Sequence, residues 1–346
     1  MIHQLEPAQY SLIRPLFQVL EASQPMVAAV LEGIYPGKVF VADPIQPRAA
    51  LLTTYIESER HGIWGFLSGD PSQSAFNHAL SQAIYAGTIV PADSPVLMLT
   101  CHPDDWGGQM TAVLAPRLPI WFPRYHFTSQ QVNHDWRAAL PHGFTVERMA
   151  DDLSLVPGLH LPDDVTATLT KWRSMTDERF TDYGFVILDR TSPRPIIASW
   201  ATVDFMTHGI GDLGFFTQPE YRQRGLGTIA VTATLEYGFS HGLRQVNWTC
   251  DADNPGSLRT AQKLGLQRIE DYSMAVLIMD EQPQNEYLKD NKTGLRSISR
   301  RERRFLENHL SVCSGVNLSS LTCVARTLAL PVAPPPEPPP GNKNTG

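Results

Sequence analysis

Alternation of apolar and polar residues in the second half of the chain predicts a sheet. The pattern predicts strands at 144–149, 183–188, 196–205, 210–216, 243–250 and 274–279. Leu235, Phe239 and Leu243 recur every four residues and predict a helix, for which Gly242 supplies a stop. Chain 150–182 is expected to be helical or irregular. This order predicts an α/β (α+β) fold, a mixed central sheet with helices on both faces.

The first half of the chain has weaker patterns. They predict helices at 9–22 and 72–86, and strands at 38–42, 49–55 and 96–101. We therefore predict a smaller N-terminal α/β domain at 1–141 and a second domain at 142–280. Proline is frequent in 281–346, so this segment is predicted to be a disordered tail.

Composition is that of an ordinary soluble chain. The 346 residues are 42% hydrophobic and 18% charged, enough for two domains. No apolar run reaches the ~18 residues of a membrane span, and no basic-then-apolar signal begins the chain. Four cysteines lack metal-ligand spacing, which favours a reduced, cytoplasmic interior and no metal.

Charge is divided unevenly along the chain. Residues 1–280 carry 19 Lys/Arg against 29 Asp/Glu, whereas 281–346 carry 9 against 6. The acidic part disfavours nucleic acid and favours a cationic amine as substrate. The basic run at 300–304 has no interleaved aromatic residues, so we interpret it as a solvated face rather than a nucleic-acid or membrane site.

A glycine-containing loop at 221–228, Tyr-Arg-Gln-Arg-Gly-Leu-Gly-Thr, joins the 210–216 strand to the predicted helix. A loop between a strand and a helix N-terminus presents unpaired backbone N–H groups, and the helix dipole adds positive potential. A Cβ at the glycines would hold a phosphate away from those groups. The loop therefore predicts a phosphate-bearing cosubstrate.

A dinucleotide is one alternative for that cosubstrate. Gly225-x-Gly227-x-x-Ala230 fits a G-x-G-x-x-A fingerprint, and Asp251 lies where a ribose-binding acid is expected. The fingerprint, however, places its first glycine directly after the strand. Here residues 218–224 intervene, and too little chain follows to complete a doubly wound sheet.

The longer pattern resembles the GNAT acetyltransferase superfamily. Arg222, Gly225 and Gly227 match its coenzyme A loop, Arg/Gln-x-x-Gly-x-Gly/Ala. Asn254, Ser257 and a Lys-Leu-Gly-Leu ending at 263–266 match its next helix. The resemblance implies acetyl-CoA as cosubstrate and a primary amine of a small molecule as acceptor. The implied cofactor contacts are Phe215, Phe216, Thr217, Arg222, Gln223, Arg224, Gly225, Leu226, Gly227, Thr228, Asn254 and Ser257.

A narrower resemblance is to the two-half branch typified by zwittermicin A resistance acetyltransferases. The residues that carry it are 183–188, the Ser199-Trp200 pair, the 248–250 strand end and, in the first half, 64–70. The first half contains no Arg-x-x-Gly-x-Gly, so we expect it to bind no coenzyme of its own.

Asp212 aligns with the acidic position of many GNAT strands, which implies a general base for the amine proton. It remains open whether this carboxylate only binds a cationic substrate. The usual tyrosine acid is replaced by Ala261, so the candidates to protonate the thiolate are Ser257, Tyr272, Cys250 and water. Cys250 as a covalent nucleophile is less favoured than Cys250 as a packed strand residue.

A second motif, at 102–106, reads His-Pro-Asp-Asp-Trp and resembles the metal site of zinc-dependent de-N-acetylases. It lacks a further histidine in a matching position, and Trp106 replaces the usual acid. We interpret it as a turn after a strand. The sequence thus predicts an acetyl-CoA-dependent N-acetyltransferase, monomeric or homodimeric. The alternative is a degenerate GNAT module that binds a coenzyme A thioester in a regulatory or scaffolding role.

Overall fold

The computed structural model describes residues 1–54, 62–91, 94, 96–252 and 254–279. The predicted tail at 281–346 and the basic run within it lie outside these residues. The strands are β1 (His3–Leu5), β2 (Gly37–Val41), β3 (Ala49–Thr54), β4 (Ile63–Gly69), β5 (Val96–His102), β6 (Ile120–Ser129), β7 (Phe144–Arg148), β8 (Tyr183–Asp189), β9 (Ile196–Thr207), β10 (Ile210–Thr217), β11 (Gln245–Asp251) and β12 (Gln267–Ile278).

The α-helices lie between these strands along the chain. They are α1 (Arg14–Ser23), α2 (Pro25–Leu31), α3 (Ser74–Tyr85), α4 (Met110–Val113), α5 (Trp136–Ala139), α6 (Asp163–Ser174), α7 (Leu226–Ser240) and α8 (Pro255–Leu264). Short 3₁₀ helices occupy Pro7–Leu12, Asp104–Gln109, Asp151–Leu155 and Pro219–Tyr221.

All twelve strands form one mixed sheet, in the order β1-β2-β3-β4-β5-β12-β6-β11-β10-β9-β8-β7. Among the described residues, only β4–β5 and β10–β11 are parallel pairs. The sheet runs without a break through the predicted boundary at residue 141. That boundary therefore separates stretches of sequence that share one sheet.

The two halves repeat one order of elements: strand, helical chain, three strands, helix, strand, helix, strand. Their last strands are exchanged. β6 of the first half pairs with β11 of the second, and β12 of the second half pairs with β5 of the first. The two exchanged strands also pair with each other at the centre of the sheet.

Helices pack on both faces of the second half. Helices α7 and α8 cover a core on one face that includes Leu213, Trp248 and Leu235. Helix α6 covers the other face, where Trp200 and Leu169 are buried. The α1–α2 pair packs on the first half and also covers Phe205 of β9. The first half therefore buries part of the second half's sheet.

The α/β fold class with a mixed sheet is confirmed. The helix before Gly242 and the strands near 144, 183, 196 and 210 lie where they were predicted. Three boundaries were wrong. The strand predicted from Leu243 begins at Gln245, and the last strand begins at Gln267 rather than 274. The helix predicted at 9–22 is divided into the 3₁₀ helix Pro7–Leu12 and α1, which begins at Arg14 with Pro15 in its first turn.

Strands β4 and β6 and helix α2 were not predicted. Strand β4 is apolar on nearly every residue, and β6 mixes Pro and charged residues with apolar ones. Neither strand therefore shows clean alternation of apolar and polar residues. All seven residues of α2 are buried, which removes the helical periodicity that marks an amphipathic helix.

Candidate active site

The parallel strands β10 and β11 separate halfway along their length. Their register runs from Ile210↔Gln245 to Asp212↔Asn247 and ends there, whereas β10 stays paired with β9 to Thr217↔Ser199. Backbone groups on the open edge of β10 after Asp212 therefore face a gap rather than a strand. Such groups need partners, and an extended ligand arm can supply them.

The first half contains the corresponding parallel pair without this gap. Strands β4 and β5 stay in register from Ile63↔Leu97 to Ser68↔His102. Ser68 Oγ also donates to the His102 carbonyl, 3.2 Å away. An opening for an extended ligand thus exists between β10 and β11 and is closed between β4 and β5.

An irregularity in the β9–β10 pairing lies beside the opening. The register shifts between Ile210 and Asp212, opposite Phe205, which has φ 57°. Gly211 is required there because an added Cβ would lie 2.4 Å from Val203 Cγ1. Two residues of β9 thus oppose one residue of β10, which is a β-bulge on β9.

The glycine loop ends on the N-terminus of α7. Gly225 is the N-cap, with φ 80°, and the first helical hydrogen bond runs from Ile229 N to Gly225 O at 3.1 Å. The N–H groups of the first turn, from Leu226 to Thr228, precede that bond and have no partner within the helix. Nothing lies within 4 Å of an added Cβ at Gly225. The turn is open to an anion.

Gly227 has a different role from Gly225. An added Cβ at Gly227 would lie 2.9 Å from Thr217 Oγ1 and 3.1 Å from the Phe215 ring. Its missing side chain lets the first turn of α7 approach the end of β10. Gly225 keeps the anion site open, and Gly227 brings that site to the opening between the strands.

Two arginines line the loop. Arg222 Nε donates to Thr217 O at 3.2 Å, and its guanidinium lies 5.6 Å from the Phe216 ring centroid. Arg224 lies 5.6 Å from the Tyr221 ring, whose hydroxyl donates to Asp189 Oδ2 at 2.9 Å. Gln223 between them has φ 64°. Both cations are thus held beside the α7 N-terminus.

Asn254 caps α8. Its side-chain oxygen accepts from Ser257 N at 3.1 Å, and Gly265 ends the helix with φ 69°. Ser257 is 9% exposed. Ala261, which stands at the family's tyrosine position, is fully buried in the core with α7. This helix supplies a capped wall and no acid at 261.

Asp212 lies at the point where β10 and β11 separate, and it is partly exposed. Burial of the carboxylate, together with the neighbouring Asp204, raises its pKa to about 7. The Arg124 guanidinium acts in the opposite direction. A carboxyl that titrates near neutral pH is suited to accept a proton.

A set of polar side chains that we call the polar face shares this side of the sheet, opposite α7. Asp212, Asn247 and Thr128 are cross-strand partners on β10, β11 and β6, and the same alternation brings Arg124, Asp251 and Tyr272 to that side. The members of the polar face are Asp204, Asp212, Asn247, Thr249, Asp251, Arg124, His126, Thr128, Glu270 and Tyr272.

Arg124 is the cation at the centre of the polar face and was missed from the sequence. It is 1% exposed, and its Nη1 lies 2.8 Å from Asp251 Oδ1. Nη2 donates to Thr249 Oγ1 at 3.1 Å. Since Asp251 is held in this buried pair, it is not placed to bind a ribose, which removes the dinucleotide fingerprint's acid.

Tyr272 lies beside Arg124, whose guanidinium interacts with the tyrosine hydroxyl. Tyr272 thus belongs to the same side of the sheet as Asp212. Cys250 is 2% exposed and packs in the opposite core with Trp248. Its position on the far face argues against a nucleophilic role, whereas Tyr272 and Ser257 remain candidate acids.

His126 is fully buried on β6, between its cross-strand partners Thr249 of β11 and Glu270 of β12. Among the described residues, no hydrogen-bond partner lies within bonding geometry of either ring nitrogen. Glu270 Oε2 is 3.9 Å from Nδ1. Burial lowers the pKa of His126 to about 4, so the ring is neutral at physiological pH.

The His-Pro-Asp-Asp-Trp motif forms the end of β5 and the 3₁₀ helix Asp104–Gln109. Trp106 is fully buried in the core of the first half. Within the described ranges no group of three or more His, Cys, Asp or Glu is placed to hold a metal ion. In the same ranges, no helix is long and apolar enough to cross a membrane.

Comparison with known proteins matches this geometry. Residues 14–275 match the model of a family described as GNAT acetyltransferase. No curated protein matches the chain. A GCN5-related N-acetyltransferase-like protein from Streptococcus suis 89/1591 superposes with a TM-score of 0.55 at 21% identity, covering 78% of this chain and 98% of that one.

Two further solved structures share the fold. A tandem GNAT protein from the clavulanic acid biosynthesis pathway gives a TM-score of 0.53 at 14% identity, covering 81% of this chain and 98% of the other. A GCN5-related N-acetyltransferase from Sphaerobacter thermophilus gives 0.54 at 14%, covering 81% and 95%. The narrower resemblance to the zwittermicin A resistance branch stays a prediction. The chain belongs to the GNAT acetyltransferase family.

Proposed function

We propose that the protein transfers an acetyl group from acetyl-CoA directly to a primary amine of a small molecule. One observation carries the proposal: the parallel strands separate at Asp212, beside the open N-terminus of α7. This part of the molecule thus combines an opening for an extended ligand, a site for an anion and a carboxyl group whose pKa is about 7.

Acetyl-CoA would be bound as substrate through both backbone and side chains. Amides of residues 226–228 and the cations of Arg222 and Arg224 suit its pyrophosphate. The open edge of β10 from Phe215 to Thr217 suits the pantetheine amides, and backbone N–H groups there can donate to the thioester oxygen. Asn254 and Ser257 would form the far wall.

The amine would approach from the polar face, where Asp212 accepts its proton. The amine nitrogen then bonds to the thioester carbon, the carbon–sulfur bond breaks, and the electron pair leaves on the thiolate. A thiol has an ordinary pKa near 8.5, so the thiolate leaves readily without a dedicated acid. Tyr272 or Ser257 would supply the proton where one is needed.

The charge of the polar face favours a cationic acceptor. Asp251 is balanced by Arg124, and Asp204 by Lys171 of α6, whereas within the described part of the chain Asp212 and the half-exposed Glu270 have no such close ion pair. The proposal places the enzyme in the cytoplasm, as a monomer or homodimer without nucleic-acid or membrane partners. Domains 1–141 and 142–280 would act together, the first shaping the acceptor pocket.

Calorimetry with acetyl-CoA, NAD and NADP tests the cosubstrate, and release of free thiol with a panel of amines tests the reaction. Micromolar binding of acetyl-CoA alone, with amine-dependent thiol release that is lost in Asp212→Asn, is the expected result. Binding without thiol release from any amine would favour the degenerate, regulatory module. Binding of a dinucleotide would refute the proposal.

A further inference from the structure

A buried cluster of charges lies next to Asp212 on the polar face. Asp204 of β9 is the direct cross-strand partner of Asp212. In an antiparallel pair, such partners have Cβ atoms about 4.5–5.5 Å apart and side chains on one face. Two carboxyl groups are therefore held side by side where the strands β10 and β11 begin to separate.

Asp204 has its own counter-ion. Lys171 Nζ forms a short ion pair with Asp204 Oδ1 and lies 3.8 Å from Asp182 Oδ2. Thr202 Oγ1 donates to Asp204 Oδ2 at 2.5 Å. Burial alone would raise the pKa of Asp204, but the Lys171 ammonium and these hydrogen bonds outweigh it and hold the pKa below its usual value.

Asp182 completes the cluster, and its pKa is shifted in the direction opposite to that of Asp204. Its side chain is 1% exposed, and burial, with the charge of Asp204, raises its pKa well above the usual value. The Tyr35 hydroxyl of the first half donates to Asp182 Oδ2, and Met206 N donates to Oδ1 at 3.2 Å. The pKa values of the two carboxyl groups are therefore shifted in opposite directions, down for Asp204 and up for Asp182.

The groups that face Asp212 and Asp204 come from five elements. They are Arg124 on β6, Thr202 on β9, Lys171 on α6, Asp182 before β8 and Tyr35 after α2. Arg124 is shared with Asp251, and Lys171 is held between the two carboxyl groups of the cluster. Asp204 itself adds negative charge directly next to Asp212.

We infer that Asp204 is a positioning residue for the acetyl transfer proposed above: its carboxylate, kept ionised by Lys171, makes Asp212 a stronger proton acceptor. This role of Asp204 rests on the proposed function, whereas the titration that tests its effect on Asp212 does not depend on any activity. The cluster includes Tyr35, so the first half of the chain contributes to the environment of the second half's proposed base.

The test measures the protonation of Asp212 directly. Protein labelled with ¹³C at aspartate Cγ is titrated by NMR, and the Asp212 resonance is assigned from its loss in Asp212→Asn. In Asp204→Asn the midpoint of Asp212 should fall by ~1 pH unit, since a neighbouring negative charge is removed while Lys171 remains. Asp182→Asn is the matched control and should shift the midpoint less, because Asp182 is not the cross-strand partner of Asp212 and its raised pKa disfavours its charged form.

Two results would overturn the inference: an unchanged midpoint in Asp204→Asn, or equal shifts in both variants, which would indicate a general change in burial. Asp204→Ser serves as a second neutral variant if Asn does not fold. Where thiol release is measurable, the pH below which kcat/KM falls should shift in Asp204→Asn by the same amount as the NMR midpoint of Asp212. Absence of thiol release from the parent protein would refute the proposed function and leave the titration interpretable.

Discussion

Asp212 and Asn247 are the last residues at which the parallel strands β10 and β11 remain in register. On one side of this pair the sheet is continuous, and on the other it opens toward the glycine loop. The Asn247 side chain is held in place where the strands begin to separate, since its Nδ2 donates to Ala22 O at 3.2 Å. The position of Asp212 is thus set by backbone pairing and by a contact with the first half.

Replacing Asp212 by Asn should lower kcat/KM for the amine by about 10²- to 10⁴-fold, because the proton acceptor is lost. In the parent, kcat/KM should fall below about pH 7, where the raised pKa of Asp212 leaves the carboxyl protonated. The variant should lack this acid limb. Steady-state thiol release across pH measures both effects. Asp177→Asn, at an exposed ion pair with Arg179, is the control and should keep the parent's profile.

A carboxylate at Gly225 should abolish acetyl-CoA binding. Gly225→Glu places negative charge where the first turn of α7 is open, and the left-handed φ of 80° adds some backbone strain. Gly242→Glu is a matched control, since Gly242 also has positive φ and open space, at the other end of the helix. Calorimetry should show binding lost in the first variant and kept in the second. Equal affinity of both would place the cosubstrate elsewhere.

Removing Arg124 should destabilise the fold strongly. Arg124→Met leaves the Asp251 carboxylate buried without its guanidinium, and breaking such a pair costs about 3–5 kcal/mol. Arg137→Met, at an exposed pair with Glu236, should cost less than about 1 kcal/mol. Chemical denaturation measures both. Similar small losses for the two variants would mean that the buried pair contributes little.

Burial of His126 should make stability depend on pH. Its pKa is lowered from 6.5 to about 4 by burial, so between these values the unfolded chain binds a proton that the folded chain does not. The free energy of unfolding should therefore fall as pH drops from 6.5 toward 4, by up to about 3 kcal/mol from this group.

His126→Gln should remove this part of the slope, and His142→Gln, at an exposed position, should retain it. Urea unfolding at several pH values measures the slope. An unchanged slope in His126→Gln would assign the pH dependence to other groups.

The elements proposed to bind the cosubstrate could be predicted from the sequence because their signals are local. Gly225 and Gly227 are each needed for the geometry of one turn at the start of α7. Asn254 and Pro255 mark the start of α8, and Gly265 marks its end. Such residues act within a few positions of themselves. Their roles can be read without knowledge of the rest of the fold.

The polar face could not be predicted in the same way. Arg124 and His126 lie on β6, more than 100 residues before the β11 residues that they face. Nothing near Arg124 in sequence explains a buried arginine; its partner Asp251 becomes visible only through the strand exchange. A charged residue within an apolar run, as in 120–129, was the available signal, and it needs a buried counter-ion to be interpreted.

The exchange of β6 and β12 resembles a strand-swapped dimer joined into one chain. A fragment that starts at residue 142 would expose the edges of both β11 and β12 and would lack Arg124. Such a fragment should aggregate or stay unfolded alone, yet recover its structure when the first half is supplied separately. Neither half could then have been gained or lost by itself during evolution. A substitution in the β5–β12, β12–β6 or β6–β11 pairing must therefore be compensated by a change in the other half of the chain.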